Sequence, residues 1–349
     1  MSNTHADARL LSLIHKGLNR ERTTADDMLY ALSFGENSVE SKLMISSWDR
    51  FMRSCCNDTG EIGIQIGVIT GPCPGECGFC NFNRKTTTAS YRKIDHDVLK
   101  SYVKDAVKFG DVNNIAVMTV HNADIDDILG YVRTVRDSVP GNVRITINTG
   151  DLSSDECKEL RKAGVTGAYH ALRMGEGKDN LLNPETRKKT WRNFMDAGIS
   201  VSCGTEPIGP EHTNEEIVSN YMEGIKARCL NGGTSLRVPV PGTTMGNMPI
   251  LSMTRMKQIS SALSLLSTWY HSDSPLNKWN FGFSSGGNKA YAEYAGNPRD
   301  TIEDSEKGVG HTVAWCRRLL YANSFRHILK ADGSTVDLDI DYLEKTESV

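Results

Sequence analysis

The chain has 349 residues, a formal net charge of −3 and an isoelectric point near 6.3, a balance that offers no basic field for nucleic acid. No apolar run approaches the roughly 20 residues of a membrane span, and nine cysteines without an export signal point to the cytoplasm rather than to a secreted disulfide framework. Length alone leaves either two average domains or one α/β barrel with additions, since such barrels commonly run about 250 residues.

Residues 1–60 read as a helical extension. Leu10, Leu11, Leu13 and Ile14 form one apolar cluster. Thr24 with Asp26 and Asp27 looks like a cap before Met28 to Leu32, and Val39 to Met52 carries apolar residues at helical spacing. Cys55 and Cys56 follow. Adjacent side chains diverge from one backbone segment, so the pair reads as core plus surface, with metal binding by one of them as the alternative.

A β-type run, Gly63 to Ile69, leads directly into Thr70 to Arg84, TGPCPGECGFCNFNR, where Cys73, Cys77 and Cys80 stand as C-x3-C-x2-C. Three such thiolates can hold three irons of a [4Fe-4S] cluster and leave the fourth open. A structural zinc site would need a fourth ligand, and after Cys80 no Cys or His occurs until His96.

From Gly63 onward short β-branched runs alternate with amphipathic stretches, the pattern of repeated βα units around a parallel sheet. Strands are expected near 63–69, 113–118, 142–148, 165–170, 199–205, 234–239, 279–284 and 289–293. Helices are expected near 96–109, 124–137, 153–163, 184–197, 213–228, 252–270 and 309–322. The economical solution is an α/β (βα)8 TIM-like barrel, complete or nearly complete, over 61–323, with an acidic tail over 324–349. Its reactive face would lie at the C-terminal ends of the strands.

That rule turns strand ends into candidates. Asn148 ends the third strand, with a structural Asn-Thr-Gly-Asp turn as the competing reading. His170, Arg173 and Glu176 follow the fourth strand and form the densest polar stretch at any strand end; a surface ion pair is the bland alternative. On the fifth strand, alternation places Ser202, Gly204 and Glu206 on one face and Cys203 on the other, and Glu211 follows. A carboxylate at the barrel mouth is costly unless it has work or a partner, which singles out Glu206. Arg237, Thr243 and Thr244 mark the sixth strand end. Cys157, Cys229 and Cys316 fall on expected helices and read as core residues.

C-x3-C-x2-C with Phe79 before the last cysteine resembles the signature of the radical S-adenosylmethionine (SAM) enzymes. The flanking Thr-Gly-x-Cys-Pro and Cys-Gly-Phe-Cys are similar to biotin synthase and its relatives, as is the segment from Arg187 to Asp196-Ala-Gly-Ile. The resemblance implies a [4Fe-4S] cluster on Cys73, Cys77 and Cys80, with Phe79 beside it and SAM chelated through its amino and carboxylate groups. It implies that Arg187 holds the SAM carboxylate, a task suited to a planar guanidinium. Asn148 is expected to contact ribose or substrate, and Glu206 SAM or substrate. His170, Arg173 and Glu176 are expected to serve a proton transfer, a carboxylate clamp and a ribose contact. The reduced cluster would pass one electron to SAM and release a radical that abstracts hydrogen from a small-molecule substrate, in cofactor or unusual amino-acid biosynthesis. The electron would come from a flavodoxin or ferredoxin.

The sequence departs from biotin synthase where that enzyme holds a second, [2Fe-2S], cluster. Met118 and Ile145-Thr146 stand where strand cysteines would be needed, and Cys203 is displaced by one residue, which inverts its facing. An arginine expected on the last-but-one strand is absent between Gly282 and Gly286. Sulfur insertion with a second cluster is therefore the second reading, and a non-catalytic iron–sulfur or zinc protein the third.

Overall fold

The computed structural model describes residues 6–229, 231–271 and 287–347. Three helices come first, α1 (Ala8–Leu18), α2 (Ala25–Leu32) and α3 (Val39–Cys56). Each starts on a side-chain cap, from Asp7, Thr24 and Ser38 respectively, and Thr24 and Asp27 form a reciprocal capping box. Leu10, Leu13, Met28, Leu32, Met44 and Trp48 are buried, so the extension is part of the core.

The βα units follow as β1 (Thr59–Thr70), the short β2 (Arg92–Lys93), α4 (His96–Val107), β3 (Val112–Thr119), α5 (Ile125–Ser138), β4 (Arg144–Asn148), α6 (Ser154–Lys162) and β5 (Val165–Tyr169). Then come α7 (Pro184–Asp196), β6 (Ser200–Ile208), α8 (Asn214–Lys226), β7 (Asn231–Leu236), α9 (Met253–Leu266), β8 (Lys289–Ala295) and α10 (Val313–Ala322). The strands run parallel in the order β8-β1-β3-β4-β5-β6-β7. Among the described residues β7 and β8 are not paired, and the strand expected at 279–284 lies outside the described residues.

The register assigns the faces. Ile62, Ile64, Ile66 and Val68 on β1, Ile115 and Val117 on β3, and Ile145 and Ile147 on β4 belong to the core beneath the helices. The alternate residues look inward: Glu61, Gly63, Gln65 and Gly67 lie beside Lys289, Tyr291, Glu293 and Ala295 of β8. Asn114, Ala116 and Met118 pair in register with Arg144, Thr146 and Asn148. The apolar runs of the sequence are thus an alternation of isoleucine or valine outward with glycine, polar residues and a few apolar ones such as Ala116 and Met118 inward. No helix among the described residues is long and apolar enough to cross a membrane.

The segment beyond α10 is built into the sheet. β9 (His327–Leu329) runs parallel to the start of β1, with Thr59 opposite His327, and β10 (Thr335–Asp337) pairs antiparallel with β9. The final helix, α11 (Ile340–Glu347), returns to α10. Between them Arg317 donates to both carboxylate oxygens of Asp111, at 2.6 and 3.0 Å, and the Tyr342 hydroxyl donates to the same carboxylate at 3.0 Å. Removing one partner of a buried pair strands the other charge. Arg317→Met is expected to lower unfolding free energy by about 3 to 5 kcal/mol; a denaturant midpoint unchanged from wild type would refute that account.

Candidate active site

The segment after β1 is a compact loop whose backbone is tied on every side. Within it Cys73 N–H donates to Phe82 O at 2.7 Å and Cys80 N–H to Cys77 O at 3.1 Å. From outside, Gly78 N–H donates to Asp179 O (3.1 Å), Gly78 O accepts from Met245 N–H (2.8 Å), and Asn81 N–H donates to Pro298 O (2.8 Å). The loops after β5, β7 and β8 therefore hold one shape. Glu76 sits at φ +51° and is buried, where its carboxylate meets Arg84 at 2.6 Å and also pairs with Lys85. A left-handed non-glycine residue at this place is anchored by two cations.

Cys73, Cys77 and Cys80 share this loop. Burial pushes the Cys77 thiol up to about 11, against the pull of Arg173, and the neighbouring Cys73 adds to the rise. Burial likewise raises Cys80 to about 12, reinforced by Cys77. The sulfurs already face amide donors: Phe82 N–H points at Cys80 Sγ (3.3 Å) and His121 N–H at Cys73 Sγ (3.4 Å). Amides directed at sulfur stabilise thiolates and tune clusters. No three His, Cys, Asp or Glu side chains among the described residues gather as a ligand set for one ion; the ligands of a cubane each take a different iron. The donor set fits a [4Fe-4S] cluster.

Arg173 stands over this loop. Its guanidinium carbon lies 5.5 Å from the Phe79 ring centroid and 5.9 Å from that of Tyr169, and it forms an ion pair with Glu206 from the end of β6. Both partners are mostly buried, so this is not a solvated surface pair. Met174 N–H donates to Glu206 O at 2.7 Å, which ties the β5 loop to the β6 end. Cys203, on the opposite face of β6, packs toward Gly224 of α8, as strand alternation requires.

Beside the loop a second network centres on Asp151, which sequence reasoning treated only as part of a turn. Its Oδ1 accepts from His170 Nε2 (3.0 Å), Arg187 Nη1 (3.1 Å) and Thr190 Oγ1 (3.3 Å), while Oδ2 lies 3.8 Å from His121 Nε2. Despite its burial, these hydrogen bonds and cations hold the Asp151 carboxyl down at about 2. His170 is 1% exposed, and burial with the nearby Arg187 charge drives its imidazole down to about 3, so it is neutral at ordinary pH. Gly150 makes the approach possible, because a Cβ there would sit 1.8 Å from His121 O.

Arg187 lies inside this network. Its second terminal nitrogen donates to Ala171 O at 3.2 Å, and its Nε faces Glu176 Oε1 at 3.7 Å, both atoms lacking a hydrogen-bond partner. The guanidinium is thus engaged by the protein. Glu176 accepts from Arg173 N–H at 2.5 Å, and burial raises its carboxyl above the ordinary range. Asn148 stands on the inner face of β4, its amide 4.0 Å from Met118 Sδ.

The remaining candidates are elsewhere or occupied. Arg237 is buried, paired with Glu211 and bonded to Pro249 O (2.6 Å), and the Thr243 hydroxyl closes its own turn on Val240 O (2.8 Å). Cys55 and Cys56 end α3, at the opposite end of β1 from Cys73. Cys157, Cys203, Cys229 and Cys316 are buried.

A parallel barrel whose first strand feeds a three-cysteine loop, faced by a buried arginine and two carboxylates, defines an iron–sulfur enzyme. The model of the Radical SAM superfamily matches residues 68–221. Biotin synthase of Mycobacterium ulcerans (strain Agy99) is 26% identical over 254 residues, covering 68% of this chain and 67% of the relative. Biotin synthase of Persephonella marina is 24% identical over 263 residues, covering 71% and 75%. Methylornithine synthase (PylB) superposes with a TM-score of 0.73 at 14% identity, covering 90% of this chain and 96% of that one. HydG, a maturase of the [FeFe]-hydrogenase, gives 0.72 at 14% identity, covering 93% and 76%. These two structural likenesses show the fold. Residues 68–221 thus carry the match to the Radical SAM superfamily, and with the biotin synthase relatives this supports a radical SAM enzyme with a [4Fe-4S] cluster and SAM.

The buried imidazole has a thermodynamic signature. Its folded value near 3 lies below the 6.5 of a free imidazole, so between these pH values the unfolded chain binds the proton and the folded one does not. Stability is then full above about 6.5 and declines as pH falls. His170→Asn is expected to remove about 1.4 kcal/mol per pH unit of that slope. Denaturant titrations of the cluster-free protein between pH 4.5 and 7.5 check this; an unaltered slope would sink it.

Proposed function

We propose that this enzyme abstracts a hydrogen atom from a small molecule held in the barrel lumen, in the biosynthesis of a cofactor or an unusual amino acid. The observation that carries the reading is the three-thiol loop set at the mouth of a barrel whose inner face is polar. The cluster and SAM, when bound, supply one-electron reductive cleavage of a C–S bond. Every other task falls to the chain. Cys73, Cys77 and Cys80 hold three irons, and Phe79 with Arg173 covers the loop they share.

In this reading Arg173 and Glu206 are the polar pair that meets SAM or substrate, exchanging their mutual contact for one with the ligand. Asp151 fixes His170 and Arg187, which keep the β4 and β5 loops in register and leave Glu176 facing the mouth, with Asn148 below it for ribose or substrate. Positioning of this kind matters because reacting atoms must be held at van der Waals separation with water excluded. A low-potential flavodoxin or ferredoxin in the cytoplasm supplies the electron.

Sulfur insertion, the chemistry suggested by the name biotin synthase, is disfavoured. Met118 and Thr146 face inward where extra cysteines would be required, and Cys203 is turned into the β6–α8 layer. Anaerobic reconstitution is expected to give about four irons per chain, with about eight overturning this choice. With dithionite and SAM the protein is expected to form 5′-deoxyadenosine, and Cys77→Ala to abolish it. Product formation that survives this substitution would refute the assignment. Glu206→Gln is expected to reduce the rate by roughly ten- to a hundredfold at unchanged iron content; a rate within twofold of wild type would remove Glu206 from the site.

A further inference from the structure

The floor of the barrel carries a charge cluster that the chemistry at the mouth does not use. Glu61 Oε2 accepts from Arg144 Nη2 at 2.8 Å and from Asn113 Nδ2 at 3.1 Å. Asn113 reaches it because the register slips between Ile62 opposite Val112 and Gly63 opposite Asn114, a bulge that re-aims its side chain. Lys289 of β8 stands across from Glu61, its Nζ 4.0 Å from the same oxygen, with side-chain exposures of 6% and 3%. That separation is too long for a hydrogen bond. The other contact of the ammonium is the face of Tyr291, 5.1 Å from the ring centroid.

Among the described residues two cations therefore share one anion whose acceptor oxygen is already engaged, and the buried member of the two has no hydrogen-bond acceptor there. Arg144 is 41% exposed and can lean on solvent; Lys289 cannot. Burial and the Arg144 charge depress the Lys289 ammonium to about 7, against the pull of Glu61. A buried ammonium whose one anion is shared and not hydrogen-bonded to it is only partly compensated, and burying charge in that way costs free energy that an apolar side chain would not.

Its direction is set by a glycine. A Cβ on Gly63 would lie 3.3 Å from Lys289 Cε and 2.6 Å from Tyr291 Cε1, so the lysine stem reaches up the lumen from the level of Glu61 to that of Gly63, through room that only a glycine leaves to it and to the tyrosine ring. From Gly63 to Gly67, where the mouth begins, is about 13 Å at roughly 3.3 Å per residue. That span suits a small extended molecule lying along the axis.

We propose that Lys289 anchors a carboxylate of the substrate, holding that end on the barrel floor and presenting the far end to the mouth. With Lys289 protonated, as a bound anion would favour, the two cations and one anion among the described residues leave a single positive charge, which matches a monoanion rather than a phosphate dianion. The assignment rests on the reading that substrate occupies the lumen.

The test uses the cluster-reconstituted protein and isothermal titration with straight-chain carboxylates from acetate to octanoate, the matching alcohols, and the matching alkyl phosphates. At least one carboxylate is expected to bind tenfold or more tightly than its alcohol, and Lys289→Met is expected to erase that preference at unchanged iron content. No preference in wild type, a preference that survives in Lys289→Met, or tighter binding of the phosphates would overturn the proposal. If the variant does not retain iron, the wild-type comparison decides alone. Formation of 5′-deoxyadenosine without carboxylate preference refutes this proposal and leaves the radical reading standing; preference without 5′-deoxyadenosine does the reverse.

Discussion

Three thiols that must give up their protons in a buried loop impose the constraint from which the mouth of this barrel follows. Desolvation opposes the Cys77 and Cys80 thiolates, and a loop of short side chains has little to offset it. The offset comes from neighbours: amides of Phe82 and His121 aimed at sulfur, and the Arg173 charge nearby. Phe82 comes from the loop itself, but His121 and Arg173 arrive on the ends of β3 and β5. The loop can therefore work only if the ends of β3, β5 and β6 are held in register with β1, which is what the Asp151 and Glu206 contacts accomplish. Charge stabilisation and barrel geometry are one problem here.

The lumen shows the same economy at lower cost. An ordinary parallel barrel fills its centre with layers of branched apolar side chains. Here Gly63, Gly67, Gln65, Asn114, Thr146 and Asn148 occupy many of those inward positions, so the strands draw most of their hydrophobic stabilisation from the outer face, where isoleucine and valine meet the helices. The price is stability. The return is an interior that can take a polar guest, with paired charges at both ends.

How much of this was legible in sequence depends on how local each signal is. The cysteine loop could be read because its spacing within one turn of chain encodes its chemistry. The order of βα units followed from alternating patterns, and Glu206 from strand parity. Asp151 escaped because Asn-Thr-Gly-Asp carries an ordinary turn signal, and its partners His170, Arg187 and Thr190 come from the next βα unit. His121 escaped as well. Its backbone amide, which any residue supplies, is what meets Cys73. Arg187 drew attention through its similarity to a known segment, yet the contacts that engage it, Asp151 and Ala171 O, lie outside that segment. The segment beyond Ser324 looked acidic and peripheral because Phe325, Ile328, Leu338 and Leu343 are too sparse to form a periodic pattern, although all four are buried.

The position of β1 gives the molecule an assembly order. One edge of the strand pairs with β3, its near neighbour in sequence; the other is completed by β8 and, at its start, by β9, which are synthesised last. Contacts of such long sequence separation form slowly, because the loop entropy must be overcome before they are rewarded. The strand that delivers the cysteines is thus half-paired for most of the chain's synthesis. Pro298 O, which receives the amide beside Cys80, also comes from the late segment. A closed iron site is therefore a property of the finished chain: metal that arrives earlier meets a loop still open on one side.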